Sequence, residues 1–186
     1  MSVVIVLCGV PGSGKTTMRN KLLDESCNWS DATWTNNNSH IGIISNDDVV
    51  TMLSDKASKS YEEGWKKYID DAEKISDNLF KYYLLKGMDV IVDMTNVTRS
   101  KRQKLINYCN HYGNDPYIYC MDLTGVKKKT ILERAEARTD KKIPLEVITA
   151  MYDRLDKPKD DEGFTGIVKN LKELLEEVEC LDAIQA

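Results

Sequence analysis

The chain has 186 residues, of which 41% are hydrophobic and 30% are charged, and its formal net charge is −4. This length suits one packed domain and is short for two, so we expect residues 1–186 to form a single domain. The acidic balance argues against a broad surface that wraps nucleic acid, because such surfaces depend on Lys and Arg, but it leaves a narrow basic groove open.

The sequence contains no apolar run long enough to span a membrane, and its first apolar stretch, Val3–Leu7, lacks the charged leader of a signal peptide. The five cysteines are scattered, without C-x-x-C or Cys/His clusters. This pattern predicts reduced thiols rather than a zinc site or a disulfide framework, and hence a cytoplasmic protein.

Short β-branched runs alternate with amphipathic stretches from one end of the chain to the other. The predicted strands cover residues 3–7, 41–44, 90–92, 116–123 and 164–168. The predicted helices cover residues 15–25, a short segment after residue 48, and residues 60–86, 98–112, 126–138, 145–155 and 170–181. Residues 28–39 are rich in Asn, Ser, Thr and Asp, which predicts a loop. The alternation predicts an α/β fold of three layers, α/β/α, with a mainly parallel sheet.

Ligands in such sheets bind outside the carboxyl ends of the strands. Gly9, Asp47, Asp93 and Asn96 all lie just after predicted strands. We therefore expect these separate segments to form one site at a single edge of the sheet.

Residues 9–16 read Gly-Val-Pro-Gly-Ser-Gly-Lys-Thr and match the phosphate-loop pattern G-x-x-x-x-G-K-[ST], with a strand before them and a helix after them. Glycines let backbone N–H groups surround a phosphate, and the helix N-terminus adds partial positive charge. Lys15 is expected to bridge the β- and γ-phosphates of ATP, and the Thr16 hydroxyl to bind Mg²⁺. The ATP-binding residues predicted in this loop are Gly9, Pro11, Gly12, Ser13, Gly14, Lys15, Thr16 and Thr17. With the alternating strands and helices around it, this loop predicts the P-loop NTPase fold. The loop alone does not separate a kinase from an ATPase motor or a GTPase switch.

Two carboxylates after predicted strands are candidates for chemistry on the acceptor. Asp47 is placed to face the γ-phosphate as a general base, although residues 45–48 are all good helix caps and Asp47 is open to that role too. Asp93 is a candidate to hold Mg²⁺ through water, and Thr95 and Asn96 to bind substrate, with ordinary turn chemistry as the alternative.

The segment from residue 126 to residue 156 is predicted to form a helical lid. Arg134 and Arg138 are four residues apart on one helical face, followed by Lys141 and Lys142. A lid of this kind closes over ATP and brings arginines to the charge on the phosphates. The alternative is a solvated helix face, with Glu133 and Glu136 as partners of the arginines.

Taken together, these segments resemble the kinase domain of the polynucleotide 5′-hydroxyl kinases over most of the chain. The resemblance rests on the phosphate loop, Ile44–Asp48, the D-x-T-N element at Asp93–Asn96, and the lid from Glu133 to Arg154. It implies transfer of the γ-phosphate of ATP, with Mg²⁺, to a 5′-hydroxyl end of DNA or RNA. It also implies that Asp47 is the base and that Arg138 contacts the ATP phosphates, with Arg134 beside it.

The chain departs from this family at the acceptor side. Family members commonly carry an arginine three residues after the base, which engages the acceptor phosphate, and this chain has Val50 there. Arg99 or Arg102, at the basic start of the helix after residue 98, are the candidates to replace it. Trp29 and Trp34 are candidate stacking platforms for bases or local packing residues.

The acceptor alternatives are therefore a small molecule, a nucleoside or a modified-base hydroxyl. A nucleotide-dependent switch or binding module remains a further alternative. No stable protein partner is implied.

Overall fold

The computed structural model describes residues 2–26, 41–139 and 141–185. The strands are β1 (Val3–Cys8), β2 (Gly42–Ile44), β3 (Val90–Val92), β4 (Tyr117–Asp122) and β5 (Gly166–Val168). The helices are α1 (Lys15–Ser26), α2 (Asn46–Lys56), α3 (Tyr61–Leu85), α4 (Arg99–Tyr112), α5 (Lys128–Ala137), α6 (Leu145–Asp153) and α7 (Leu171–Gln185), with a 3₁₀ turn at Asp160–Glu162.

The five strands form one sheet in the order β2-β3-β1-β4-β5, and every pairing is parallel. In register, Val6 of β1 lies beside Val92 of β3, and Cys8 lies beside Asp122 of β4. All the carboxyl ends therefore meet at one edge of the sheet. This confirms the predicted P-loop NTPase-like α/β fold.

Alternating side chains of β1 supply two cores on opposite faces of the sheet. Val3, Ile5 and Leu7 pack with Leu22 of α1 and Leu174 of α7. On the other face, Val4 and Val6 pack with Phe80 and Leu84 of α3 and Ile106 of α4. Period-two alternation in a strand buried on both faces accounts for the three layers.

Three helices of this body begin at hydroxyl caps. Ser45 accepts a hydrogen bond from the N–H of Asp48 at the start of α2, and Thr98 accepts one from Lys101 at the start of α4. At the start of α3, Ser60 and Glu63 form a reciprocal capping box. Where α2 meets α3, a Cβ on Gly64 would lie within 2.7 Å of the Ser54 Cβ, so glycine is required for this close approach.

Among the described residues, no helix is both long and apolar enough to cross a membrane. The predicted loop at residues 28–39, with Trp29 and Trp34, lies outside the part of the chain that the structure describes.

Candidate active site

The phosphate loop joins the end of β1 to the start of α1. Gly12 and Gly14 have φ angles of 86° and 102°, which favour glycine, and a Cβ on Gly12 would also lie 3.2 Å from the Ile131 carbonyl oxygen. The N–H of Ser13 donates to the carbonyl of Val10 at 3.1 Å. This conformation is the reason the motif needs its glycines.

The Lys15 ammonium folds back over this loop. It donates to the carbonyl oxygens of Gly9 at 2.9 Å and Val10 at 3.0 Å. Burial lowers the pKa of Lys15, whereas the negative charges of Asp93 and Asp47 act to raise it. The lysine therefore lies in the field of both candidate carboxylates.

Asp47 lies in the first turn of α2, but the helix cap is Ser45, so the capping interpretation of Asp47 is wrong. Its Oδ1 accepts a hydrogen bond from the hydroxyl of Tyr61 at 2.8 Å. Its Oδ2 lies 3.9 Å from the Nζ of Lys141, and that ammonium lies 5.3 Å from the centre of the Tyr61 ring. The carboxylate is thus held from α3 on one oxygen and approached by a cation on the other.

Asp93 follows β3 and faces the first helix. Its Oδ2 is 3.0 Å from Arg19, whose guanidinium also pairs with Asp48 at 2.6 Å. Burial raises the pKa of Asp93, against the opposing charges of Arg19 and Lys15. Arg19 of α1 thus links the first turn of α2 to the end of β3.

The oxygens at this edge fit Mg²⁺ of the kind that kinases bind. In the described ranges, no three or more His, Cys, Asp or Glu side chains are grouped to hold a metal ion. Mg²⁺ usually takes one or two protein oxygens and fills its remaining positions with water and substrate phosphates. Thr16, exposed at the start of α1, and Asp93, half-buried at the end of β3, offer such a sparse oxygen set.

The D-x-T-N element is partly structural. The carbonyl oxygen of Thr95 accepts a hydrogen bond from the N–H of Gly9 at 2.9 Å, which connects this element to the phosphate loop. Asn96 is buried with a φ of 46°, and its side-chain amide donates to the carbonyls of Leu7 at 3.0 Å and Met94 at 3.4 Å. Asn96 therefore has a structural role in this turn, and its predicted contact with substrate stays a prediction.

Arg102 is a second correction. Its side chain is 0% exposed and makes two hydrogen bonds to the carboxylate of Glu162, at 2.7 and 2.6 Å. It also donates to the carbonyls of Asn96 and Asp156. A guanidinium enclosed in this way cannot reach an acceptor. Arg99, by contrast, is partly exposed and pairs with Asp161 at 3.1 Å.

Helices α5 and α6 form the segment predicted as a lid, and this segment lies against the phosphate loop. Arg134 donates to the carbonyl of Gly12 at 3.0 Å, and the charge of Arg138 contributes to the lowered pKa of Lys15, after the larger effect of burial. Val10, Val97, Ile131 and Ile148 form the buried cluster between the lid and the loop. Both arginines therefore act on the phosphate loop, and their contact with ATP stays a prediction.

Sequence reasoning missed two side chains at this site and left Lys141 without a role. Arg19 is four residues after Lys15, so helical spacing alone places it one turn along the same face. Tyr61 carries no such signal, because its contact with Asp47 depends on how α3 packs against α2. A cavity of about 450 Å³ lies away from this site, between Met18, Lys21 and Asp24 of α1 and the start of α7. It contains none of this chemistry.

A parallel sheet with a phosphate loop after its central strand, carboxylates after the next two strands and a helical lid defines a P-loop protein with a kinase-like fold. The chain belongs to the AAA domain family, whose model matches residues 4–158.

Solved structures of several kinds share this fold. A gluconokinase from Sinorhizobium meliloti 1021 is 18% identical with a TM-score of 0.51, covering 94% of this chain and 88% of that chain. Chaetomium thermophilum Kti12, in complex with ADP-AlF3, is 16% identical with a TM-score of 0.59, covering 98% and 97%. A fungal RNA kinase is 15% identical with a TM-score of 0.53, covering 99% and 86%. At these identities the similarity is one of fold.

Proposed function

We propose that this protein is an ATP-dependent phosphotransferase that uses Asp47 to activate an acceptor hydroxyl. The observation that carries the proposal is the position of Asp47. Its carboxylate is not used as a helix cap, is held by Tyr61, and acts electrostatically on Lys15 of the phosphate loop. A base facing the transferring phosphate is what a kinase needs and what a passive nucleotide-binding module does not.

In the proposed reaction, the acceptor hydroxyl donates its proton to Oδ2 of Asp47 as its oxygen bonds to the γ-phosphorus. The bond from that phosphorus to the β–γ bridging oxygen breaks, and ADP leaves. Lys15, Arg138 and Arg134 bind and neutralise the phosphate oxygens, so that catalysis is mainly positioning and electrostatics. Mg²⁺, when bound, would supply further positive charge there, and Thr16 and Asp93 are the residues that would hold it.

We propose a 5′-hydroxyl end of DNA or RNA as the acceptor. The support is the order of the segments along the chain: phosphate loop, base segment, D-x-T-N element and two-arginine lid. Fewer proteins share that order of segments than share the phosphate loop, which occurs in many nucleotide-binding proteins.

A specific observation favours a second candidate, a small or uncharged acceptor such as a nucleoside or a modified-base hydroxyl. Val50, in place of the family's acceptor-phosphate arginine, is 0% exposed, and Arg102 is enclosed by the protein. Two of the positions considered for a phosphate contact are therefore closed to the acceptor.

The test is transfer of labelled γ-phosphate from ATP, with Mg²⁺, to 5′-hydroxyl DNA and RNA oligomers, nucleoside 3′-monophosphates, free nucleosides and hydroxymethylated duplex DNA. Asp47→Asn should lower turnover by about 10²–10⁴-fold. Asp55→Asn, on the exposed face of the same helix, is the matched control and should match wild type.

Lys15→Ala should remove nearly all transfer, and retention of more than about a tenth of wild-type activity would refute the assigned role of the phosphate loop. If only uncharged acceptors are labelled, the second candidate replaces the first. If Asp47→Asn keeps full biological activity while nucleotide binding is still required, the protein is a switch.

A further inference from the structure

An anionic acceptor needs a cation near the base, and the positions predicted from the sequence do not supply one. Val50 and Arg102 are both 0% exposed. Arg99 pairs with Asp161 through the carboxylate and the backbone carbonyl. Arg19 is committed to Asp48 and Asp93. Among the described residues, the lid supplies a cation within ion-pair distance of Asp47.

Lys141 lies in the connection between α5 and α6, and its side chain is 18% exposed. Its ammonium is 3.9 Å from Oδ2 of Asp47, while Tyr61 occupies Oδ1 at 2.8 Å. The ammonium is therefore beside the oxygen that is left to accept the proton of an acceptor hydroxyl.

We propose that Lys141 binds the phosphate group one sugar away from the reacting hydroxyl, in the role that an arginine at position 50 plays in the resembling kinases. The ligand class is a nucleoside 3′-phosphate or the first internucleotide phosphate of a 5′-hydroxyl strand. This inference rests on the proposed function and specifies the acceptor of that same site.

The chemistry of the side chain suits this exchange of partners. A lysine ammonium is a compact charge on a flexible four-carbon stem, with donors that rotate to suit a phosphate. Its contact with Asp47, at 3.9 Å, is at the outer limit of an ion pair and is weaker than a direct charge-assisted hydrogen bond to phosphate. An arriving phosphate can therefore take the ammonium away from Oδ2 and leave that oxygen to the hydroxyl.

The position of Lys141 links the acceptor to ATP. Arg134 and Arg138 belong to the same lid and act on the phosphate loop. A phosphate bound by Lys141 holds the lid near Asp47, so ATP and a phosphate-bearing acceptor each favour binding of the other. An acceptor without that phosphate gains no such coupling.

The test compares Lys141→Gln with Lys142→Gln, which removes the charge of the exposed neighbouring lysine. The acceptors are a matched pair, a nucleoside and its 3′-monophosphate, together with a 5′-hydroxyl oligomer. In Lys141→Gln, KM for the two phosphate-bearing acceptors should rise about tenfold, or about 1.4 kcal/mol. KM for the nucleoside and kcat at saturation should change by less than about threefold, and the slope of log KM against log salt should fall by about 1. Lys142→Gln should match wild type.

An equal rise of KM for the nucleoside would overturn the inference, because the lost contact would not involve phosphate. A fall in kcat at constant KM would also overturn it and would make Lys141 a partner of Asp47 alone. If wild type labels the oligomer and Lys141→Gln behaves identically, the inference fails while the proposed function stands. If wild type binds ATP but labels none of these acceptors, this inference and the proposed 5′-hydroxyl acceptor both fail.

Discussion

The body and the lid of this protein differ in how their helices begin. In the body, α2, α3 and α4 start at Ser45, Ser60 and Thr98, each of which accepts a backbone N–H. In the lid, α5 and α6 start at Lys127 and Pro144, whose side chains make no capping bond. Since a cap contributes about 1 kcal/mol to a helix, the starts of α5 and α6 lack a stabilising contact that α2, α3 and α4 have.

The lid also has a smaller buried core than the body. In the described part of the chain, each face of the sheet has a cluster of ten buried residues, whereas the lid is attached to the phosphate loop through four. The buried cluster between the lid and the phosphate loop is therefore smaller than the cluster on either face of the sheet. We therefore expect the lid to open at a lower free-energy cost than unfolding of the body, as the proposed exchange of nucleotide requires.

The largest expected effect is on the body. Arg102→Met leaves the carboxylate of Glu162 buried without its partner, which should cost about 3–5 kcal/mol of the free energy of unfolding. Urea denaturation measures this cost. Glu162→Leu added to Arg102→Met should recover part of the loss. Arg99→Met, at the exposed pair, is the control and should remain close to wild type. Arg102→Met that folds normally but loses acceptor affinity would return Arg102 to the site.

The next effect is on the lid. Arg138→Ala removes the cation proposed to bind the ATP phosphates and should lower kcat by about 10²-fold or more, with little change in the unfolding midpoint. Steady-state kinetics and a thermal melt measure the two quantities. If Arg138→Ala lowered stability and not turnover, the lid would contribute to the stability of the whole domain, and the contrast between body and lid would be wrong. A change seen only in acceptor KM would remove Arg138 from the ATP site.

A smaller effect is expected where the body holds the base. Tyr61→Phe removes the hydroxyl that donates to Oδ1 of Asp47 and should lower kcat by about tenfold, since a hydrogen bond to a charged group contributes about 1.5–3 kcal/mol. The KM for ATP should not change. Tyr68→Phe, farther along the same helix, is the control. An unchanged kcat in Tyr61→Phe would show that the orientation of Asp47 does not limit the reaction.

The smallest effect tests the missing cap. Lys127 has an extended backbone at the start of α5, so Lys127→Asp can cap the helix and complement its dipole, for about 1 kcal/mol or less. Hydrogen exchange of the α5 amides should slow by up to about fivefold, with the amides of β1 unchanged. Lys129→Gln, which removes a charge without adding a cap, is the control. Equal slowing in both variants would mean that the charge, not the cap, limits α5.

The layered fold was predictable because its signals are local. β-branched strands, amphipathic helices and the glycines of the phosphate loop each identify themselves within a few residues, and the parallel order follows from their alternation. The parts of the candidate site that lie within short motifs could be predicted in the same way. Lys15 and the lid arginines are recognised from short motifs.

Long-range pairings limited the rest. Residues 45–48 contain four good caps, and only the conformation shows that Ser45 takes the role and leaves Asp47 to Tyr61. Arg102 has the sequence context of an exposed basic residue, but its partner Glu162 lies 60 positions further along the chain. The contact of Lys141 with Asp47 likewise depends on how the lid meets α2.

The close approach at Gly64 has a consequence for mutational maps of this protein. Any side chain there would collide with Ser54 and push α3 away from α2, and Tyr61 lies three residues before it. Even alanine at position 64 should therefore disturb the hydroxyl that holds Asp47. A tolerance scan scored on phosphate transfer should rank position 64 with the residues of the phosphate loop, although Gly64 is not among the residues proposed to bind either substrate.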